Sequence, residues 1–212
     1  MPDRASLIYV HDPMCSWCWG FRPVLTQLRS RLPPQVCFEH LLGGLAADSD
    51  QAMPAALQQQ LQQTWQQIAK HIPGTRFNFD FWRDCQPRRS TYPACRAVIA
   101  ARLAGIDDPD RMTLAIQQAY YLRAMNPSDA VTLIQLADEL GLDSPTFESL
   151  LHSEQVDQLL HEEIATARSI GVQSYPSLVL RTADNSDLPV AIDYLDADAM
   201  LTTVQTLIAG RA

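Results

Sequence analysis

Cys15 and Cys18, in the run Cys15-Ser16-Trp17-Cys18, are the residues whose type and spacing point most directly to chemistry. They follow a short apolar run, Leu7 to Val10, and open a segment of helical periodicity. Two thiols three residues apart on the first turn of a helix share a face and come within bridging distance. The helix start adds unpaired N–H groups and a partial positive charge, which favour a thiolate over a thiol. Such a pair can attack a disulfide through one sulfur and free itself by closing on the other. The motif reads as a dithiol–disulfide redox site.

Zinc ribbons use the same spacing, but zinc takes four ligands, usually from two such pairs. The remaining cysteines, Cys37, Cys85 and Cys95, form no second CxxC, and no HxxxH accompanies them. A structural metal would have to recruit Cys85, Cys95 or His11 from scattered positions, so no metal is expected.

The elements that must carry the dithiol follow from periodicity. Leu7–Val10 is of strand type, and Asp12-Pro13 signals a turn. From Cys18 to about Leu32 apolar residues recur at helical spacing, with Pro23 inside the pattern as a kink and Pro33-Pro34 as its end. Val36–Leu42 reads as a second strand stopped by Gly43-Gly44, so the order β-α-β implies a parallel pair. Helical patterns then fill the middle of the chain. The first, 55–70, carries seven glutamines between 58 and 67 on what reads as a solvated face. Others run from Thr91 to Ala104, from an Asp108-Pro109 start, from Ser128-Asp129 to Gly141, from Ser144-Pro145, and from a Ser153 cap to Gly171. Ser177–Leu180 and Val190–Ile192 flank a polar turn around Asp184–Asp187, a hairpin candidate. Asp196 caps a last helix through Ile208.

Composition agrees with a compact globular enzyme. The 212 residues are 47% hydrophobic and 19% charged, enough for a substantial core. Net charge is −8, with 16 basic against 24 acidic residues and a single lysine, Lys70. No basic cluster suits a phosphate backbone, so nucleic acid is not an expected partner. No apolar run is long enough to cross a membrane. No signal-peptide core precedes the first strand, and five cysteines is an odd number, so a reducing cytoplasm is the expected location.

The segment Asp12 to Phe21, the proline five residues beyond the second cysteine, and Gly171-Val172-Gln173-Ser174-Tyr175-Pro176-Ser177-Leu178-Val179 together resemble the DsbA-like branch of the thioredoxin superfamily. The start of the chain is more similar to the cytosolic FrnE-like and disulfide-isomerase-like members than to the periplasmic oxidants. The resemblance implies an α/β thioredoxin-like fold, β-α-β then β-β-α, with a large all-helical insertion. Residues 1–48 and 172–212 would form the discontinuous thioredoxin-like domain, and 49–171 the inserted one. Cys15 would be the attacking thiolate and Cys18 the resolving thiol. Pro176 would be cis and face the dithiol, with the Tyr175 backbone pairing with substrate like an added strand. A plain strand-initiating proline is the alternative.

Trp17, Trp19 and Phe21 are candidates for an apolar rim, Phe21 reading better as core. His11, four residues before Cys15, either stabilises the thiolate or is a polar strand end. Glu39 reads as an exposed strand residue before a proton acceptor for Cys18. Cys85 and Cys95 are either a second redox pair or, preferred in a reducing compartment, a loop thiol and a small core residue. Cys37 reads as inert filler.

The expected function is a thiol–disulfide oxidoreductase, reductase or isomerase, acting on disulfide-containing proteins or small thiol compounds. Its redox group would be the Cys15–Cys18 disulfide, with glutathione as a potential co-substrate. Kappa-class transferases and 2-hydroxychromene-2-carboxylate isomerases share the layout but look different at the position of Cys15, where they carry serine. A non-catalytic zinc- or partner-binding module is the third reading.

Overall fold

The computed structural model describes residues 4–108 and 110–210. Pro109, read above as the first helical residue after an Asp108 cap, lies outside the described residues, as do Met1, Pro2 and Asp3.

Apolar runs of strand length form a four-stranded sheet: β1 (Ala5–His11), β2 (Val36–Leu42), β3 (Ser177–Arg181) and β4 (Asp187–Val190), in the order β2-β1-β3-β4. β1 and β2 are parallel, with Tyr9 opposite His40 and His11 opposite Leu42, while β3 runs antiparallel to β1 and to β4. Because side chains alternate across a strand, Leu7 and Tyr9 join one core with Phe21 and Leu28 of α1 (Ser16–Ser30) and Val204 of α9 (Ala197–Ala209). Ile8 and Val10 face the other way, onto Ala167, Val172 and Val179.

Between β2 and β3 lie α2 (Ala55–His71), α3 (Phe81–Asp84), α4 (Tyr92–Leu103), α5 (Asp110–Leu122), α6 (Ala130–Glu139), α7 (Ser144–Leu151) and α8 (Glu154–Ser169). They enclose a separate and larger core, in which α4 is buried from Ala97 through Ala101 and Trp65 is packed by Phe77, Phe81, Trp82, Tyr120 and Tyr121. Met14 and Leu42 contribute to this core from the sheet side. The fold is therefore α/β and thioredoxin-like with a helical insertion.

Three local expectations shift. The second strand of the hairpin is Asp187–Val190 rather than Val190–Ile192, with Leu178 opposite Val190 and Pro189 on the edge strand, where a missing N–H is tolerated. The turn is tighter than its polar composition implies: Asn185 adopts a φ of 60° and donates its N–H to Thr182 O at 2.9 Å. Asp187 thus already belongs to the sheet, held by both arms of Arg181 at 2.8 and 3.1 Å. The one-turn α3 was not expected at all.

Candidate functional site

The strand–turn–helix that carries the dithiol is built from backbone and one carboxylate. β1 ends at His11, and the turn closes with Cys15 N–H donated to Asp12 O at 3.0 Å. Cys15 is then the N-cap of α1, with extended backbone (φ −78°, ψ 116°) and no side-chain cap bond, so its sulfur is not spent on the helix. Cys18 falls on the first turn. Cys15 is 6% exposed and Cys18 0%. Burial, followed by the neighbouring Cys15 sulfur, pushes the Cys18 thiol well above the usual thiol range. One sulfur with a little solvent access and one with none is the arrangement sequential attack and resolution require.

Tyr175 and Pro176 arrive from the start of β3. Their peptide bond is cis. The Tyr175 carbonyl accepts from Cys15 Sγ at 3.4 Å, across 160 residues of sequence. Tyr175 is seated by Gly43: its hydroxyl donates to Gly43 O at 2.6 Å, and a Cβ on Gly43 would stand 2.0 Å from the Tyr175 ring. The Gly43-Gly44 pair, read above as a strand stop, therefore also makes room for the ring beside the dithiol. Pro176 itself is buried and lines a different groove with Val179, Pro189 and Ile192.

A cavity of about 190 Å³ opens beside Cys15, walled by Met14, Trp17, Trp65, Thr91, Tyr120 and Tyr175. Arg88 and Arg89 add positive charge to its lining. Arg88 is engaged by Asp129 Oδ1 at 2.6 Å and Ser128 O at 2.7 Å, whereas exposed Arg89 makes no ion pair among the described residues. Trp17 is half-buried against Tyr194, ring centres 5.0 Å apart. Trp19 stacks on Tyr121 at 5.7 Å and donates to Arg76 O, and Phe21 is wholly buried, so neither forms an open rim.

The structure does not bring His11 to Cys15. His11 is 1% exposed, stacked on Tyr9 at 4.7 Å, and lines a second cavity of about 170 Å³ with His40, Asp110 and Glu163. Strand alternation explains this: His11 shares the Tyr9 face, not the turn that carries the sulfur. Burial, followed by the proximity of His40, holds its imidazole well below the ordinary range, and its Nδ1 has no hydrogen-bond partner among the described residues. Glu39 is exposed. Cys85 and Cys95 have separate partners, Ala124 O at 3.0 Å and Asp12 Oδ2 at 3.5 Å. No group of three or more His, Cys, Asp and Glu among the described residues is arranged to hold a metal.

Asp12 is the site residue the sequence did not single out. Fully buried, its carboxylate accepts from Met14 N at 2.8 Å, Leu45 N at 2.7 Å, Thr91 Oγ1 at 2.6 Å and Cys95 Sγ. Burial pushes its pKa up against the pull of those donors. It thereby pins the turn before Cys15 both to the segment after β2 and to α4. Its only sequence signal was the turn dipeptide Asp12-Pro13, which carries no sign of long-range partners.

A dithiol at the head of the first sheet-covering helix, met by the peptide before a proline from a distant strand and roofed by inserted helices, defines a DsbA-like thioredoxin-fold protein. The chain belongs to the thioredoxin family, whose family model matches residues 8–202. It is similar to the ClpXP adapter protein SpxH of Bacillus subtilis (strain 168), 26% identical over 188 residues, which are 88% of this chain and 62% of that protein. The chain thus spans less than two thirds of that relative's length. Among solved structures, a candidate protein disulfide isomerase from Nitrosomonas europaea superposes with a TM-score of 0.83 at 24% identity, covering 99% of this chain and 100% of that one. A structure of the cytosolic disulfide reductase DsbM of Pseudomonas aeruginosa gives a TM-score of 0.75 at 22% identity, covering 95% of this chain and 98% of that one, and DsbM has also been solved with GSH. At these identities the structures establish a shared fold. No helix of the described residues is long and apolar enough to cross a membrane.

Proposed function

We propose that the protein is a thiol–disulfide oxidoreductase, working as a reductase or disulfide isomerase through a mixed disulfide on Cys15. The observation that carries the reading is the Cys15 sulfur at 3.4 Å from the Tyr175 carbonyl, with Cys18 wholly buried on the first turn of the helix that Cys15 caps. Cys15 attacks a substrate disulfide, Cys18 displaces the reduced product, and an external thiol restores the dithiol. A substrate lying along Tyr175 finds main-chain polar groups there, in the manner of an added strand. The cavity and Arg89, which makes no ion pair among the described residues, suit a small thiol bearing carboxylates, and the DsbM structure with GSH supports glutathione in that role. The same reading puts the protein in the cytoplasm, in keeping with that cytosolic neighbour.

The test is a pair of single substitutions. Cys15→Ser is expected to abolish disulfide reduction, and Cys18→Ser to accumulate mixed disulfides at Cys15. Equal activity in both variants would refute the assigned roles.

The similarity to SpxH favours a second reading, an adapter that binds a protein and presents it to ClpXP. That activity needs a surface and no redox step. A Cys15→Ser/Cys18→Ser variant that still stimulates degradation of a bound protein by ClpXP, beside a parent with no disulfide exchange, would select it.

A further inference from the structure

The chain carries a net charge of −8, and nine of its arginines are held in ion pairs among the described residues. Two that are not stand on either side of the dithiol. Arg89 is exposed on the wall of the cavity of about 190 Å³ that Cys15 itself lines. Arg168, exposed in the last turn of α8, lines a more open groove of about 490 Å³ with Gly44, Val172 and Gln173. Leu45 and Tyr175 belong to both linings, so the two spaces meet at the residue whose carbonyl accepts from Cys15 Sγ at 3.4 Å. Neither arginine makes an ion pair or a side-chain hydrogen bond among the described residues. No Asp or Glu among those residues lines either space. Asp129 neutralises Arg88, and Asp12 is buried beneath the turn and occupied by its donors. In a chain with 24 acidic residues, a cleft with a cation at each end and no carboxylate in its walls attracts anions.

We propose that Arg89 and Arg168 are specificity-determining residues, which select small disulfides bearing a negatively charged group on each half. The proposal rests on the oxidoreductase reading above and narrows its substrate. A thiolate attacks a disulfide along the axis of the S–S bond, so the two halves of the substrate extend in different directions. The half that becomes bonded to Cys15 lies in the cavity with Arg89, and the departing half passes Tyr175 toward Arg168. Cys15 forms the new S–S bond as the substrate's own S–S bond breaks. The electron pair leaves on the departing sulfur, which takes back from water the proton that Cys15 had released. Cys18 then displaces the retained half, its proton ending on that sulfur. The protein pair is oxidised to a disulfide and the substrate is reduced to two thiols.

The test compares two disulfides that differ in charge and little in shape. One is glutathione disulfide, the other its bis(glycine ethyl ester), which lacks one carboxylate on each half. Reduced protein is mixed with each and quenched in acid at intervals, and the Cys15–Cys18 disulfide is followed by mass spectrometry. At low salt the parent is expected to react with glutathione disulfide about tenfold faster than with the ester. Arg89→Gln and Arg168→Gln are each expected to lower that ratio about threefold, and added salt to lower it in the parent. Arg111→Gln removes a cation exposed on α5 that lines neither space, and is expected to keep the parent ratio. A parent ratio of about one overturns the proposal, as does a ratio that either Arg89→Gln or Arg168→Gln leaves unmoved. A ratio that Arg111→Gln lowers as far as the other two overturns it as well, since net charge alone would then account for the preference. A parent that is oxidised by neither disulfide overturns the oxidoreductase reading instead. Should a variant fail to fold, the parent's salt response decides, and a ratio that stays flat from low to high salt overturns the proposal equally.

Discussion

Four donors converge on the Asp12 carboxylate, and replacing it with asparagine sets their loss against relief of a buried charge. An amide offers one acceptor oxygen in place of two, so either Met14 N or the group formed by Leu45 N and Thr91 Oγ1 loses its partner. A buried donor left unsatisfied costs about 1–3 kcal/mol. The charge penalty offsets part of this, since burial already pushes the Asp12 pKa up. Asp12→Asn is therefore expected to lose about 1–2 kcal/mol in urea unfolding at neutral pH. A variant more stable than its parent would show that the charge costs more than its hydrogen bonds return. At this scale the sequence was informative wherever function lies in local spacing, as for Cys15 and Cys18. It was silent on Asp12, whose partners lie far along the chain. For His11 the sequence left two readings open, a thiolate stabiliser or a polar strand end, and the pleat places its ring against Tyr9 and His40.

The elements themselves were largely legible because most helices are long enough for a period to show. α3 was not, since four residues hold no period, and Phe81 is placed by the aromatic packing around Trp65. The hairpin shift has a similar cause, because Asp187 reads as turn by composition but is drawn into the sheet by Arg181. Nor did any pattern reveal how α1 is tied to the insertion. Arg22, beside the internal Pro23, grips Asp110 at the start of α5 with two bonds of 2.8 and 2.9 Å and Gln117 with a third at 2.6 Å. The pair is mostly shielded, at 17% and 22% side-chain exposure. Truncating Arg22 leaves a mostly shielded carboxylate without its partner. Discounted for solvent screening, Arg22→Ala is expected to cost about 1–2 kcal/mol in denaturant unfolding. A loss indistinguishable from zero would mean that α1 and α5 are joined by packing alone.

The sheet and the helical insertion meet over the cavity that holds His11 and His40, and this junction makes the stability of the whole molecule depend on pH. Burial, ahead of nearby charges, lowers the pKa of both histidines in the folded protein. An unfolded histidine titrates near about 6.5, so below that value the unfolded chain binds more protons. Stability from these two groups is complete above about pH 6.5 and is lost as the pH falls through it. Asp12 has the opposite sign. Its folded pKa is raised, so above about pH 3.9 the folded chain holds its proton longer and its contribution improves as the pH falls. Comparing the parent with His11→Phe, which keeps a ring stacked on Tyr9 but cannot be charged, separates the histidine from the carboxylate. Between pH 7 and 5 the parent is expected to lose up to about 1.4 kcal/mol per pH unit more than the variant, the effect of one proton. Thermal melts across that range give the answer. Parallel slopes would place the acid sensitivity at His40 or at the surface, whereas a flatter variant would locate it at the His11 ring stacked on Tyr9.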